Sequence, residues 1–275
     1  MAKAIADQSF LPKNGAQEVE LASHEDLALR ILDLDVTDDA SVERAAARVV
    51  ADAERLDVHV NNAGYTSWGL SEAFTIDQAQ RIFGTNFFGV VSMNRAVLPH
   101  TRPQREGLII HITSAADRGV LPGMGLYTAA KFAVEGSAES DRVEGLADSY
   151  HYELSQLGID SVTVEPGRYQ TGIFGKTDPP ADNARGADYG QAAEIPHPVR
   201  TALESSTAPS QEVADAVLRL IEPAAGHRPL RTLVGPVATS SQPINGAAEH
   251  IQREMSATMG LGHRLAVPAA RGEGA

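Results

Sequence analysis

Apolar residues recur along this chain at two periods, and their alternation outlines the fold. Over 41–56, Val42, Ala45, Ala46, Val49, Val50 and Ala53 form a stripe at helical spacing. Thr37, Asp38 and Asp39 precede it, side chains suited to accept from the free N–H groups of a helix start. A short apolar run at 58–60 then predicts a strand. Helical character returns over 85–101, and Gly107 introduces the unbroken apolar run 108–112. The stretch 127–157 reads as helix, 159–164 as a strand ending at Pro166-Gly167, 210–221 as a capped amphipathic helix and 230–234 as a last strand. Upstream, 16–23 has helical character and 29–34 reads as a strand. Strands alternating with helices of this length predict βαβ units. Runs that are continuously apolar, instead of alternating, predict strands buried on both faces of a parallel sheet. The expectation is an α/β fold with a doubly wound parallel sheet.

Residues 176–207 break the pattern, with Pro179, Pro180, Pro196 and Pro198 and little periodicity. A long irregular stretch inside a compact domain reads as a lid-like or binding loop. Residues 1–265 are expected to form one domain carrying that loop, and 266–275 a flexible tail.

Composition narrows the function. The 275 residues are 43% hydrophobic and 21% charged, enough for a sizeable core. A net charge of −13 argues against nucleic acid or an anionic membrane surface as partner. The sequence has no cysteine, which excludes disulfides, thiolate metal sites and cysteine nucleophiles. Its apolar runs are strand-sized, with no basic start leading into an apolar stretch, so a cytoplasmic location is expected. The nine histidines are scattered without ligand spacing, and no metal site is expected. His111, inside the 108–112 run, is expected in the core.

Tyr127 and Lys131 stand four residues apart in Tyr127-Thr128-Ala129-Ala130-Lys131, on one face of a helix. A phenol with an ordinary pKa near 10 is a poor base at neutral pH, and a neighbouring cation favours its ionised form. Such a tyrosine can exchange a proton with an alcohol or carbonyl oxygen. About 0.1 chance matches to this spacing are expected in a chain of this make-up, so an exposed tyrosine beside an exposed lysine stays open for the pair alone. The surroundings extend it. Ser114 follows the 108–112 strand, Asn61-Asn62-Ala63-Gly64 ends another strand, and Pro166-Gly167 a third. Ligands of open α/β sheets bind beyond the carboxyl ends of strands. Tyr65, Trp68 and Phe174 flank the expected crevice and fit an apolar substrate, although such residues more often simply pack.

Taken together, these residues resemble the short-chain dehydrogenase/reductases, over about 35–235. The matching signatures are Asn-Asn-Ala-Gly at 61–64, Asn86 in Thr85-Asn86-Phe87-Phe88-Gly89, Ser114, Tyr127-x-x-x-Lys131, Pro166-Gly167-x-x-x-Thr171 and Asp35-Val36. The resemblance implies a Rossmann-like domain and hydride transfer between NAD(P)(H) and a carbonyl or secondary alcohol. It implies Tyr127 as general acid/base, with Lys131 assisting it and holding the nicotinamide ribose. Ser114 would bind the substrate oxygen and Asn86 would hold a water of the proton relay. Asp35, Val36, Asn62, Ala63 and Gly64 would line the cofactor, as would Pro166, Gly167 and Thr171, the last meeting the nicotinamide carboxamide. A homodimer or homotetramer is implied as well. Plainer roles stay open for two of them: Asn86 bonding backbone across a helix kink, and Thr171 capping the next helix.

The sequence departs from that family in two places. No Thr-Gly-x-x-x-Gly-x-Gly turn, which seats the cofactor pyrophosphate at a helix N-terminus, occurs in it, and the only glycine before Asn61 is Gly15. About a dozen residues remain where two strands and a helix would stand, against roughly 30 for one βαβ unit. The expectation is a truncated or rearranged N-terminal part, weakened cofactor affinity and an undetermined choice between NAD and NADP. Secondly, Val134-Glu135-Gly136-Ser137-Ala138-Glu139-Ser140 is echoed nine residues later by Val143-Glu144-Gly145-Leu146-Ala147-Asp148-Ser149. Nine residues are about two and a half helical turns, so an unbroken helix would swing one copy to the opposite face. A tandem duplication, partly looped out, is expected. The alternative is a catalytically impaired relative that acts as a binding or oligomerisation partner.

Overall fold

The computed structural model describes residues 31–115, 118–135, 145–169, 171, 173, 175, 177–236 and 238–261. Four strands, β1 (Val58–Asn61), β2 (Gly107–Ile112), β3 (Ile159–Pro166) and β4 (Arg231–Val234), form one sheet in the order β1-β2-β3-β4. Every pairing is parallel. The chain therefore crosses the sheet in one direction, and every strand ends at the same edge.

Helices α1 (Asp39–Ala53), α2 (Ile76–Phe83), α3 (Gly89–Gln104), α4 (Gly125–Glu135), α5 (Leu146–Leu154), α6 (Pro196–Glu204), α7 (Gln211–Ile221) and α8 (Gln242–Thr258) surround it. On one face, Leu108, Ile110, Val162 and Val164 pack with Ala216 and Leu220 of α7. On the other, Ile109 and Ile159 pack with Leu154 of α5 and Leu98 of α3. A strand covered on both faces has no solvent side to be polar on, which is why β2 is apolar apart from the buried His111. The α/β reading with helices flanking a parallel sheet is confirmed.

Asp38 caps α1 by accepting from the Ala40 amide at 3.0 Å. The helix expected over 127–157 is two helices in the described residues, α4 and α5. Residues 136–144 between them, within the expected duplication of 134–149, lie outside the described residues. So do 1–30, with the helical piece expected at 16–23 and the N-terminal part expected to be truncated or rearranged, and so does the tail at 266–275. Residues 31–34, expected within a strand, take no strand conformation; Leu34 instead packs against α1 and α3. The 176–207 stretch, expected to be irregular, contains α6. Its prolines hide that helix in the sequence, yet Pro196 and Pro198 occupy the first turn, where a missing N–H costs nothing.

Two buried histidines fix tautomers across the sheet. Asn61 Nδ2 donates to Asn94 Oδ1 at 2.9 Å and to His111 Nδ1 at 3.3 Å. Its Oδ1 must then accept, so His59 carries its proton on Nε2, 2.9 Å away. His111 in turn donates from Nε2 to Ser161 Oγ at 3.2 Å, which donates to the Ala147 carbonyl at 2.9 Å. This chain links β1, β2, β3 and α5 beneath the strand ends. His111 is the core residue it was expected to be.

Candidate active site

The turn after β1 begins the site. Beyond Asn61, the Tyr65 backbone is gripped at both polar atoms by one side chain: Asn86 Nδ2 donates to the Tyr65 carbonyl at 2.9 Å, and the Tyr65 amide donates to Asn86 Oδ1 at 3.0 Å. Asn86 can do this because Gly84–Phe88 forms a single π-helical turn between α2 and α3, where the Gly89 amide reaches back to the Gly84 carbonyl. Such widened turns interrupt the regular helical ladder and gather at functional sites. The side chain of Asn86 thus bonds backbone at a helix irregularity, one of the two roles left open for it.

Lys131 comes from α4, one turn beyond Tyr127. Its Nζ donates to the carbonyl of Ile112, the last residue of β2, at 2.9 Å, and lies 5.9 Å from the centre of the Tyr127 ring. Both side chains are buried. A Cβ on Gly64 would fall 2.8 Å from Asn86 Oδ1 and 3.8 Å from Lys131 Nζ, so the turn, the π-helical segment and α4 meet where only glycine leaves room. Tyr127 packs with Tyr65, Trp68, Ile82 and Met124. The two tyrosines differ in environment. Burial, and then the Asp178 carboxylate, push the Tyr65 phenol up to about 12, which keeps it protonated and unsuited to act as a base.

Ser114 is half-buried just past β2. The preceding Thr113 pins the strand end, donating from its amide and its hydroxyl to the Val164 carbonyl at 2.9 and 3.2 Å. At the end of β3 the Gly167 amide donates to the Val234 carbonyl at 2.8 Å. A Cβ there would sit 1.9 Å from the Pro236 carbonyl oxygen, so residue 167 admits no side chain.

The residues expected at the adenine side collect elsewhere. Leu34, Val36, Asn62, Ala63, Val90 and Met93 line one narrow crevice. The Asp35 carboxylate is engaged locally by the amide and hydroxyl of Thr37, at 2.9 and 2.7 Å. Thr171 is exposed, its hydroxyl accepting from the Ile173 amide at 3.4 Å. The side chain of Phe174 lies outside the described residues.

Sequence reasoning missed Gln78, whose amide uses all its capacity at once. Its Oε1 accepts from Thr75 N and Ala181 N at 3.1 and 3.0 Å, and its Nε2 donates to Asp178 Oδ1 and the Pro179 carbonyl at 3.1 and 2.7 Å. The pattern Thr75-x-x-Gln78 announces a capping box, which the structure contains, but nothing local announces the second set of partners.

With this geometry in view, known proteins can be compared. The family pattern described as short chain dehydrogenase matches residues 5–181. The chain belongs to the short-chain dehydrogenase family. It is thereby an oxidoreductase of the short-chain type. This short-chain dehydrogenase is 32% identical to a 3-ketodihydrosphingosine reductase of Bacteroides thetaiotaomicron, over 76% of its own length and 74% of the relative's. It is 35% identical to human retinol dehydrogenase 8 over 58% of its length and 48% of the relative's. A crystal structure of a short-chain dehydrogenase from Streptomyces avermitilis superposes with a TM-score of 0.69 at 27% identity, covering 91% of this chain and 86% of that one. A family member from Burkholderia phymatum, solved in complex with NAD, shares the fold at 20% identity, with a TM-score of 0.63 over 86% and 80% of the two chains.

Proposed function

We propose that the chain interconverts a carbonyl compound and a secondary alcohol with NAD(P)(H), and that Tyr127 handles the proton. The observation that carries the proposal is the meeting of Lys131, Asn86 and the side-chain-free Gly64 beside a buried Tyr127. Lys131 Nζ, beside the Gly64 turn and the buried Tyr127, suits the ribose end of a nicotinamide cofactor as the donor to its hydroxyls. When bound, the nicotinamide supplies or takes up the hydride. The chain's residues do the rest. Tyr127 gives its phenolic proton to the substrate oxygen, or takes one from it, and Lys131 stabilises the negative charge left on the phenol. Ser114 fixes the substrate oxygen beside Tyr127. Asn86 holds the Tyr65 backbone and seats the water through which the proton returns.

Asp35, Val36, Asn62 and Ala63 line the adenine side in this reading, while Pro166, Gly167 and Thr171 meet the nicotinamide. The 176–207 segment closes over the substrate as a lid. Tyr65, Trp68 and Met124 around Tyr127 favour an apolar substrate, in keeping with the lipid-like substrates named for the sphingosine and retinol relatives. Within residues 1–60 only Gly15 is available to a phosphate-cradling turn, so the proposal is for weak cofactor binding.

Calorimetric titration with NADPH and NADH is the direct test. Saturable binding supports the reading; its absence in a chain folded by circular dichroism removes it. Tyr127→Phe should lose turnover by about a thousandfold or more, within the range of a missing general acid/base, with an unchanged melting temperature. Full turnover in that variant would remove Tyr127 from the role.

A further inference from the structure

Glu165 is a fully buried carboxylate with no task in the proposed reaction. It stands at the carboxyl end of β3, immediately before the Pro166-Gly167 turn. Asn245, in the first turn of α8, donates from Nδ2 to both Glu165 oxygens at 3.0 Å. Its Oδ1 accepts from Arg118 Nε at 2.7 Å. Asn245 and Arg118 are buried as well. Arg118 lies four residues beyond Ser114.

One amide side chain thus joins three pieces of chain: the loop that carries Ser114, the strand end that carries the Pro166-Gly167 turn, and the C-terminal helix. The amide offers an acceptor to the guanidinium and N–H donors to both carboxylate oxygens from the same short side chain. The approach of α8 is braced at the same turn. The Pro236 carbonyl, on the way from β4 to α8, accepts from the Arg168 amide at 3.3 Å and occupies the space above Gly167. Burying a carboxylate and a guanidinium is costly unless their bonds are well made, and apolar side chains would hold α8 at lower cost. What the polar set supplies is a fixed relative position for two strand ends.

We propose that Asn245 is a positioning residue of the active site, holding the Ser114 loop and the Pro166-Gly167 turn in register through Arg118 and Glu165. The proposal rests on the carbonyl–alcohol reading for the use of that register, and its geometry can be tested without it.

The experiment compares hydrogen exchange in the full chain and in N245A. The amides of Ser114, Ala115, Gly167 and Arg168 should exchange about tenfold faster in the variant, while those of α1 keep their rates. A uniform acceleration, or none, would overturn the proposal. Turnover of the aromatic diketone benzil with NADPH gives the second readout. N245A should lower kcat by about tenfold, with the KM for NADPH within about twofold, as expected when reacting groups are misplaced and binding is kept. A change confined to KM would overturn it. N245D is the further variant if N245A fails to fold. Its carboxylate would face Glu165 across 3.0 Å, with Arg118 on its other side, and such a pair holds together by sharing one proton. Its turnover relative to the parent chain should fall as pH rises from about 6 to about 8, and a flat ratio would overturn the proposal. Should the parent chain not turn over any carbonyl probe, the functional reading fails and the exchange rates alone decide the positioning role.

Discussion

A methyl group at residue 64 would lie 2.8 Å from Asn86 Oδ1, which cannot move aside because the same carboxamide is tied twice to the Tyr65 backbone. The backbone at Gly64 is outside the left-handed region, so the cost of a side chain there is contact and not strain. Gly64→Ala should therefore destabilise by about 1–3 kcal/mol, the usual penalty of overpacking. It should also cost far more turnover than stability, because the displaced atom belongs to Asn86, beside Lys131. Thermal melts and turnover of the same preparation check this, and an unchanged turnover would show that the two side chains need not meet at Gly64. Asn86 was legible as a site residue from Thr85-Asn86-Phe87-Phe88-Gly89. What it grips was not legible, because Tyr65 contributes backbone atoms and any residue type would serve. The same holds for Asn245, which lies 80 residues from its carboxylate partner with no local pattern around it.

Strands and amphipathic helices announced themselves through burial. β2 is apolar because both its faces are covered, and α7 shows a stripe because one of its faces meets the sheet. Helix α6 is short and opens on two prolines, which masked its Val199 and Leu203, half-buried against the Tyr127 cluster. What anchors the segment leading to it is polar: Gln78 on α2 holds Asp178, Pro179 and Ala181, while Arg81 on the same helix pairs with Asp178 at 3.2 Å. The exposed Arg81 pair contributes little, and the buried amide with four bonds contributes more. Gln78→Ala should leave the Ala181 amide and the Thr75 amide without their acceptor and release the segment that starts at Asp178. We expect a loss of about 1–3 kcal/mol. Limited proteolysis should cut within 178–195 faster by at least about tenfold, while cleavage elsewhere stays rare. Equal cutting rates in the two proteins would mean that the 178–195 segment is held by other contacts.

Acid should unfold the whole molecule through the two histidines under the strand ends. Burial holds His59 down to about 4 and His111 to about 3, the latter also lowered by His59 and Lys131. Both values lie below the ordinary histidine pKa near 6.5, so the folded chain keeps both rings neutral where the unfolded chain protonates them. Between about pH 6.5 and 4 the unfolded state binds more protons, and stability falls as pH falls. Each ring contributes about 1.4 kcal/mol per pH unit there, and the two together approach 3. From pH 7 to 5, where the unfolded rings are only partly protonated at first, the two remove about 4 kcal/mol, a large share of the whole stability of many domains. Carboxylates add to the loss mainly below this window, since their ordinary values lie near 4. Urea unfolding at pH 7, 6 and 5 measures the slope. His59→Gln can still donate to Asn61 Oδ1 and cannot be protonated, so it should roughly halve that slope. A parent chain equally stable at pH 7 and 5 would show that the rings take up protons without leaving the sheet, and the tautomers fixed by the Asn61 amide would have to be reassigned.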